Sequence, residues 1–267
     1  MKTAIDVKNI NVFYGRNQVI KELSFCVSSG EFFIIIGPNG SGKTTLLKAL
    51  CGAIPVRDGH IKILQKSLHE YSRKDLARIA AMVSQEIQHD CPFTVFEIVL
   101  MGRTPHLGIL EFEKDYDFQV AMDVMKFTNV LHLKDRKLAE LSSGERQRVM
   151  IARALCQEPR IVLLDEPTSA LDLSHQLGIM DLMEKMIKER KTTVVMVSHD
   201  LNLAALYADK LLLIKDGEAV SMGIPENVLT FDKLEKAYNC VLLVDKHPAG
   251  NVPRVTLVPK KFIPTKN

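Results

Sequence analysis

The sequence predicts an α/β fold: a mostly parallel core sheet, an N-terminal antiparallel β-subdomain, a helical insertion and a short C-terminal appendage. Three observations carry this. Residues 32–36 are a continuous apolar run with no polar face, as expected of a strand buried on both sides. A glycine-rich turn and a helix-like stretch at 43–50 follow it directly. Strand-like runs alternate with helix-like ones along much of the chain, which implies parallel pairing.

The elements follow in order. Residues 5–13 and 18–27 read as an antiparallel pair turned at Tyr14-Gly15-Arg16-Asn17. A strand at 79–84 precedes a mostly helical stretch, with helices at 95–101, 115–127 and 144–157. This is the expected helical insertion, at about 88–158. Buried-strand runs return at 161–164 and 192–197, and between them 174–190 places apolar residues at 179, 180, 183, 186 and 187, on one helical face. From residue 224 onward a short helix (231–238) and two strands (241–245 and 254–258) read as an appendage, with a turn at 247–251. The expected division is a main domain over 1–223 and an appendage over 224–267.

Composition narrows the class. The 267 residues suit one large domain or two small ones. With 46% hydrophobic and 25% charged residues, a disordered chain is excluded. Apolar runs such as 32–36 and 211–214 are only four or five residues long, against the roughly 20 a spanning helix needs. The N-terminus alternates polar and apolar, so no signal peptide is expected. A net charge of +3 is too small to argue for nucleic acid or an anionic membrane surface. Five cysteines without C-x-x-C spacing read as reduced thiols in a cytosolic protein, each most simply a small buried hydrophobe.

Gly37-Pro38-Asn39-Gly40-Ser41-Gly42-Lys43-Thr44 matches G-x-x-x-x-G-K-[ST] and sits between a strand and a helix, the context this phosphate-binding loop requires. Its glycines let backbone N–H groups turn inward around phosphate oxygens, and the helix N-terminus adds partial positive charge. Lys43 supplies a point charge for the β- and γ-phosphates, and the Thr44 hydroxyl can ligate Mg²⁺. No N-K-x-D run signals guanine, so ATP is the expected nucleotide. A second apolar strand ends in Asp165-Glu166. Strand tips are where open α/β sheets bind ligands. Asp165 is placed to hold Mg²⁺ and Glu166 to polarise water for attack on the γ-phosphate. Asp-Glu-Pro is also good turn chemistry, and the phosphate loop in the same chain decides for function.

Leu141-Ser142-Ser143-Gly144-Glu145 resembles the LSGGQ signature of ATP-binding cassette (ABC) ATPases, differing at Ser143 and Glu145. Read alone, Ser142 followed by Glu145 is an ordinary capping box. The order phosphate loop, signature, Asp-Glu strand makes the family resemblance cover most of the chain. That resemblance implies a P-loop NTPase cassette with a RecA-like core. Residues Gly37, Asn39, Gly40, Ser41, Gly42, Lys43, Thr44 and Thr45 would surround the phosphates, and Tyr14 would stack on adenine. Gln85 would ligate Mg²⁺ and water, Asp172 in Ser169-Ala170-Leu171-Asp172 would bridge two subunits, and His199 would contact the γ-phosphate. Ser142 and Gly144 would complete the site of a second copy, giving a head-to-tail homodimer with two ATP molecules.

Residues 71–78, 99–108 and 169–176 resemble the ATPase subunits of ferric-siderophore, haem and cobalamin importers, the type II group. The resemblance implies a peripheral subunit on the cytoplasmic face of the membrane. It would serve a two-copy permease and an extracytoplasmic substrate-binding protein, with no nucleic acid. Oxyanions such as molybdate are a lesser substrate class. The 102–108 loop, with an exposed-looking Arg103, would lie beside the groove receiving the permease; a plain loop is the alternative. A non-transport ABC ATPase of repair or translation is the competing class. Repair proteins need long coiled coils between the motif halves, and the stretch between Lys43 and Asp165 leaves no room for them; translation factors normally carry two cassettes, and one is seen here. Intact Lys43, Glu166 and His199 argue against a catalytically dead regulatory module.

Overall fold

The structure is a computed structural model, describing residues 2–84, 92–248 and 250–262. Strands β1 (Thr3–Tyr14) and β2 (Asn17–Ser28) form the expected antiparallel pair, turned at Gly15 and Arg16. Strand β3 (Phe32–Ile36) is buried at every position and leads through the glycine-rich loop into helix α1 (Lys43–Leu50). Strands β4 (Asp58–Ile63) and β5 (Lys66–Ser67) then complete a four-stranded sheet in the order β2-β1-β4-β5. Helix α2 (Arg73–Ile79), capped by the Ser72 hydroxyl, leads into β6 (Ala80–Val83). Sequence periodicity missed β4, β5 and α2. β4 begins with two exposed residues, and α2 is only seven residues long with no buried position.

Helices α3 (Val95–Leu100), α4 (Asp115–Phe127) and α5 (Ser143–Leu155) lie between β6 and β7 (Ile161–Asp165). Helix α6 (Leu173–Arg190), β8 (Thr193–Val197), α7 (Leu201–Tyr207), β9 (Lys210–Lys215) and β10 (Glu218–Gly223) follow. The core sheet has the order β10-β9-β3-β8-β7-β6, parallel except for the β9–β10 hairpin. Both of its faces are covered. Phe32, Ile34 and Ile36 pack with the helices α3 to α6, while Phe33 and Ile35 pack with α1 and the N-terminal sheet. Two buried faces hide the period of two, which is why these strands read as unbroken apolar runs.

The chain ends in α8 (Pro225–Val228), α9 (Phe231–Tyr238) and the hairpin β11 (Leu242–Lys246) with β12 (Pro253–Leu257). Leu234, Ala237, Leu242 and Val255 are buried in the same core as α3 to α6. The Asn202 side chain donates to the Val255 carbonyl at 3.1 Å and accepts from its N–H at 2.8 Å, so α7 holds β12 as a strand neighbour would.

Two expectations are corrected. Arg103 is 2% exposed rather than open to solvent. Gly102 lets the 101–106 turn press onto α5; a Cβ there would lie 2.2 Å from the Arg153 carbonyl oxygen. Arg103 Nε then donates to Asp117 at 2.8 Å, and one terminal nitrogen donates to Glu158 at 2.7 Å and to the Cys156 carbonyl at 2.8 Å. Burial pushes the Asp117 carboxyl up, but the Lys114 N–H and Arg103 together hold it below its usual range. The cysteines also divide. Cys156 is buried, and burial pushes its thiol up to about 12. Cys26 and Cys240 are exposed, Cys26 because it alternates with buried Phe25 and Val27 on β2.

Replacing Arg103 with Ala would strand Asp117 as a buried charge, at a cost of about 3–5 kcal/mol. The expected drop in Tm is roughly 6–20 °C, and a double replacement, Arg103→Met with Asp117→Leu, should recover most of it. Calorimetry of the two variants checks this.

Candidate functional site

The phosphate loop exists because β3 stops at Ile36 and the backbone must turn at once. Gly37 has φ +150°, and a Cβ there would lie 2.1 Å from the Ile214 carbonyl oxygen on β9, so only glycine fits. Gly42, at φ +100°, starts α1 without any side-chain cap, and a Cβ there would come 2.7 Å from Ile20 Cδ1. The uncapped start leaves the first N–H groups of α1 for an anion. The Ser41 hydroxyl is buried with no hydrogen-bond partner among the described residues. Lys43 is 5% exposed, and its Nζ donates back to the Gly37 and Pro38 carbonyls at 2.8 and 2.9 Å. Burial pulls its ammonium below the usual range against the opposing pull of Glu166 and Asp165.

Parallel pairing sets the acids opposite this loop. Asp165 on β7 is in register with Val197 on β8, and Val197 with Ile35 on β3. The Thr44 hydroxyl donates to Asp165 Oδ1 at 3.0 Å. Burial pushes the Asp165 carboxyl above its usual range, partly offset by that bond. These are hard oxygen donors of the kind Mg²⁺ takes in ones and twos beside substrate phosphates. The next residue, Glu166, adopts φ +48°, a left-handed conformation uncommon outside glycine, and its N–H donates to the Val197 carbonyl at 3.2 Å. This kink aims the side chain sideways. Its Oε2 lies 3.2 Å from His199 Nδ1, just past the end of β8.

A cleft of about 420 Å³ opens here, lined by Val19, Asn39, Lys43, Thr44, Thr45, Glu166 and the glycines at 40 and 42. The chain thus brings together the loop, Asp165, Glu166 and His199. Val19 is an addition: as one apolar residue on an alternating strand, it carries no sequence signal. Tyr14 ends β1 and is 48% exposed, outside the cleft lining. Gln85 lies outside the described residues.

Ser142, Gly144 and Asp172 form a separate group. Ser142 caps α5 in a full capping box: its hydroxyl accepts from the Glu145 N–H, and its own N–H donates to Glu145 Oε2 at 2.8 Å. The Ser142 N–H and hydroxyl hold the Glu145 carboxyl below its usual range. Asp172 caps α6. None of the three lines the cleft.

A family model of the ABC transporters matches residues 20–169. The chain belongs to this family. It is an ABC ATPase, which hydrolyses ATP to drive transport. The hemin import ATP-binding protein HmuV of Pseudoalteromonas translucida (strain TAC 125) is 37% identical over 93% of this chain and 97% of its own length. The ferric enterobactin transport ATP-binding protein FepC of Escherichia coli (strain K12) is 34% identical over 93% and 92%. The ABC ATP-binding protein YvrA of Bacillus subtilis (strain 168), of uncharacterised function, is 38% identical over 93% of this chain, which spans 56% of YvrA. Among solved structures, an inward-facing ABC transporter described as of metal-chelate type superposes with a TM-score of 0.87 at 30% identity, over 98% of this chain and 100% of that one. This chain is thus an ABC transporter ATP-binding protein. Among its described residues no helix is long and apolar enough to cross a membrane.

Asp165 is a test of how this site trades stability for charge. An acid whose folded pKa is raised destabilises the folded state above that pKa, and the penalty fades as pH falls through it. Asp165→Asn keeps an acceptor for Thr44 and removes the charge. It should raise the Tm of the nucleotide-free protein by about 1–4 °C at neutral pH, with the gain shrinking in acid, while weakening Mg²⁺-dependent nucleotide binding. Thermal scans across pH and nucleotide titration check both halves.

Proposed function

We propose that this ABC ATPase powers import of a metal chelate, haem or a ferric siderophore first and cobalamin next. It would work as a head-to-tail homodimer on the cytoplasmic face of a two-copy permease fed by an extracytoplasmic binding protein. In this reading residues 1–223 are the cassette, with a helical subdomain inserted at about 88–158, and 224–267 are the appendage. The observation that carries the reading is the split of the motifs. The loop and Glu166 line one cleft, with Asp165 bonded to Thr44 and His199 beside Glu166, while Ser142, Gly144 and Asp172 stand at helix starts outside its lining. A second copy supplies the missing half. The likeness to HmuV, FepC and the metal-chelate type transporter supports the substrate class. Ile109, Leu110 and Phe112, each at least 84% exposed, support a docking face for the permease on the helical side.

The chemistry follows from the side chains. Backbone N–H groups of residues 37–44 and the Lys43 ammonium bind the β- and γ-phosphates, and Tyr14 offers a ring to the base. Thr44 and Asp165, with Gln85, would hold Mg²⁺, which when bound neutralises charge between the phosphates. Glu166 Oε2 accepts the proton of the attacking water. His199 keeps that carboxylate aimed at the γ-phosphate. Release of the phosphate removes the contacts that join the two copies, and the dimer reopens.

Glu166→Gln keeps the shape and removes the proton acceptor. Turnover should fall by roughly 10²–10⁴-fold with ATP binding retained, and the protein should accumulate as an ATP-bound dimer in light scattering. Hydrolysis at the wild-type rate would remove Glu166 from this role. Purification of the tagged wild-type chain from detergent-solubilised membranes should bring a polytopic protein at equal stoichiometry. Recovery with ribosomes or DNA instead would overturn the transport reading.

A further inference from the structure

The two helix starts that lie outside this chain's own cleft lining are joined by one imidazole. Asp172 Oδ1 accepts from the His175 backbone N–H at 2.9 Å and lies 2.8 Å from His175 Nδ1. The ring is thereby turned across the gap to α5, where it rests on Gly144. A Cβ at Gly144 would come 2.2 Å from His175 Cδ2 and 2.7 Å from Cγ. Farther along the helices the contact recurs: a Cβ at Gly178 of α6 would come 2.3 Å from a terminal nitrogen of Arg148 on α5. Neither Gly144 nor Gly178 has the positive φ that would by itself demand glycine. Their glycines are needed for close approach between the helices, so α5 and α6 meet at two pairs, each made of a glycine and a side chain from the other helix.

His175 has no place in the cleft that holds the phosphate loop. We propose that it is a positioning residue, locking the Ser142–Gly144 start of α5 to the Asp172 start of α6. The two would then reach the nucleotide of a second copy as one unit. The proposal rests on the head-to-tail reading above. It separates two properties that general damage would not separate. ATP binding by the single chain uses the phosphate loop and should be untouched, whereas ATP-driven association should suffer. Asp172, held well below the usual carboxylate range by the His175 N–H and ring, stays charged and keeps the ring in place across neutral pH.

The test uses the full chain carrying Glu166→Gln, with His175→Ala, His175→Phe or His175→Asn added. Affinity for a fluorescent ATP analogue is measured at chain concentrations too low for association, and dimerisation by light scattering with ATP. His175→Ala should raise the dimer dissociation constant by about 10–100-fold while leaving single-chain nucleotide affinity within about twofold and the melting temperature nearly unchanged. His175→Asn keeps a side-chain N–H for Asp172 and should recover part of the association. His175→Phe keeps a ring on Gly144 without that bond and should recover less. Unchanged dimerisation in His175→Ala overturns the proposal, as does a loss of single-chain nucleotide affinity equal to the loss of association. A Glu166→Gln parent that stays monomeric with ATP overturns the head-to-tail reading and this proposal with it.

Discussion

The register of three parallel strands is the constraint on which the rest depends. Ile35 is paired with Val197, and Val197 with Asp165, so β3, β8 and β7 end on one line. That line delivers Gly37, Asp165 and His199 to the same edge of the sheet. A slip of one residue would turn every side chain of the slipped strand to the other face. Phe32, Ile34 and Ile36 would then exchange cores with Phe33 and Ile35, so burial on both faces enforces the register that the site needs. The turn that follows is fixed as tightly, because the Ile214 carbonyl on the neighbouring strand leaves no room for a side chain at Gly37.

The site carries an electrostatic load that the chain's own groups meet only in part. Lys43 and Asp165 are each about 95% buried, and burial works against the charge of both. Removing such ions from water costs several kcal/mol apiece. Two loop carbonyls and the Thr44 hydroxyl offset some of it. Phosphate oxygens beside Lys43 and a divalent cation beside Asp165 would offset the rest. The left-handed Glu166 is a strained residue held by its N–H bond to Val197 and by the Ser169 hydroxyl donating to its carbonyl at 3.0 Å. Strain of this kind persists where surrounding structure fixes it, as the strand tips do here.

Much of this was legible in the residues themselves. β3, α1, α4 and α9 have the bounds that their apolar patterns predict, and the loop, Asp165, Glu166 and His199 come together where their motifs and strand ends point. What stayed hidden has physical causes. β4 gives no clear strand pattern because its first two residues meet water. Arg103 reads as exposed because a charged residue among Gly and Pro looks like a loop tip; its partners Asp117 and Glu158 are distant in sequence, and only folding brings them near. Val19 gives no sign of its place beside the phosphate loop, and His175 sits inside a motif whose neighbour, Asp172, draws the attention. Pairings made by tertiary contact leave no local pattern to read.

The division of one ATP site between two copies is most directly tested by a crosslink. With all five native cysteines replaced, one chain would carry Asn39→Cys and the other, distinguishable by tag, Ser143→Cys, both with Glu166→Gln. Head-to-tail closure requires a disulfide between the two different chains that forms with ATP and not without it. No bond with ATP, or one between chains that ignores ATP, would contradict the shared site.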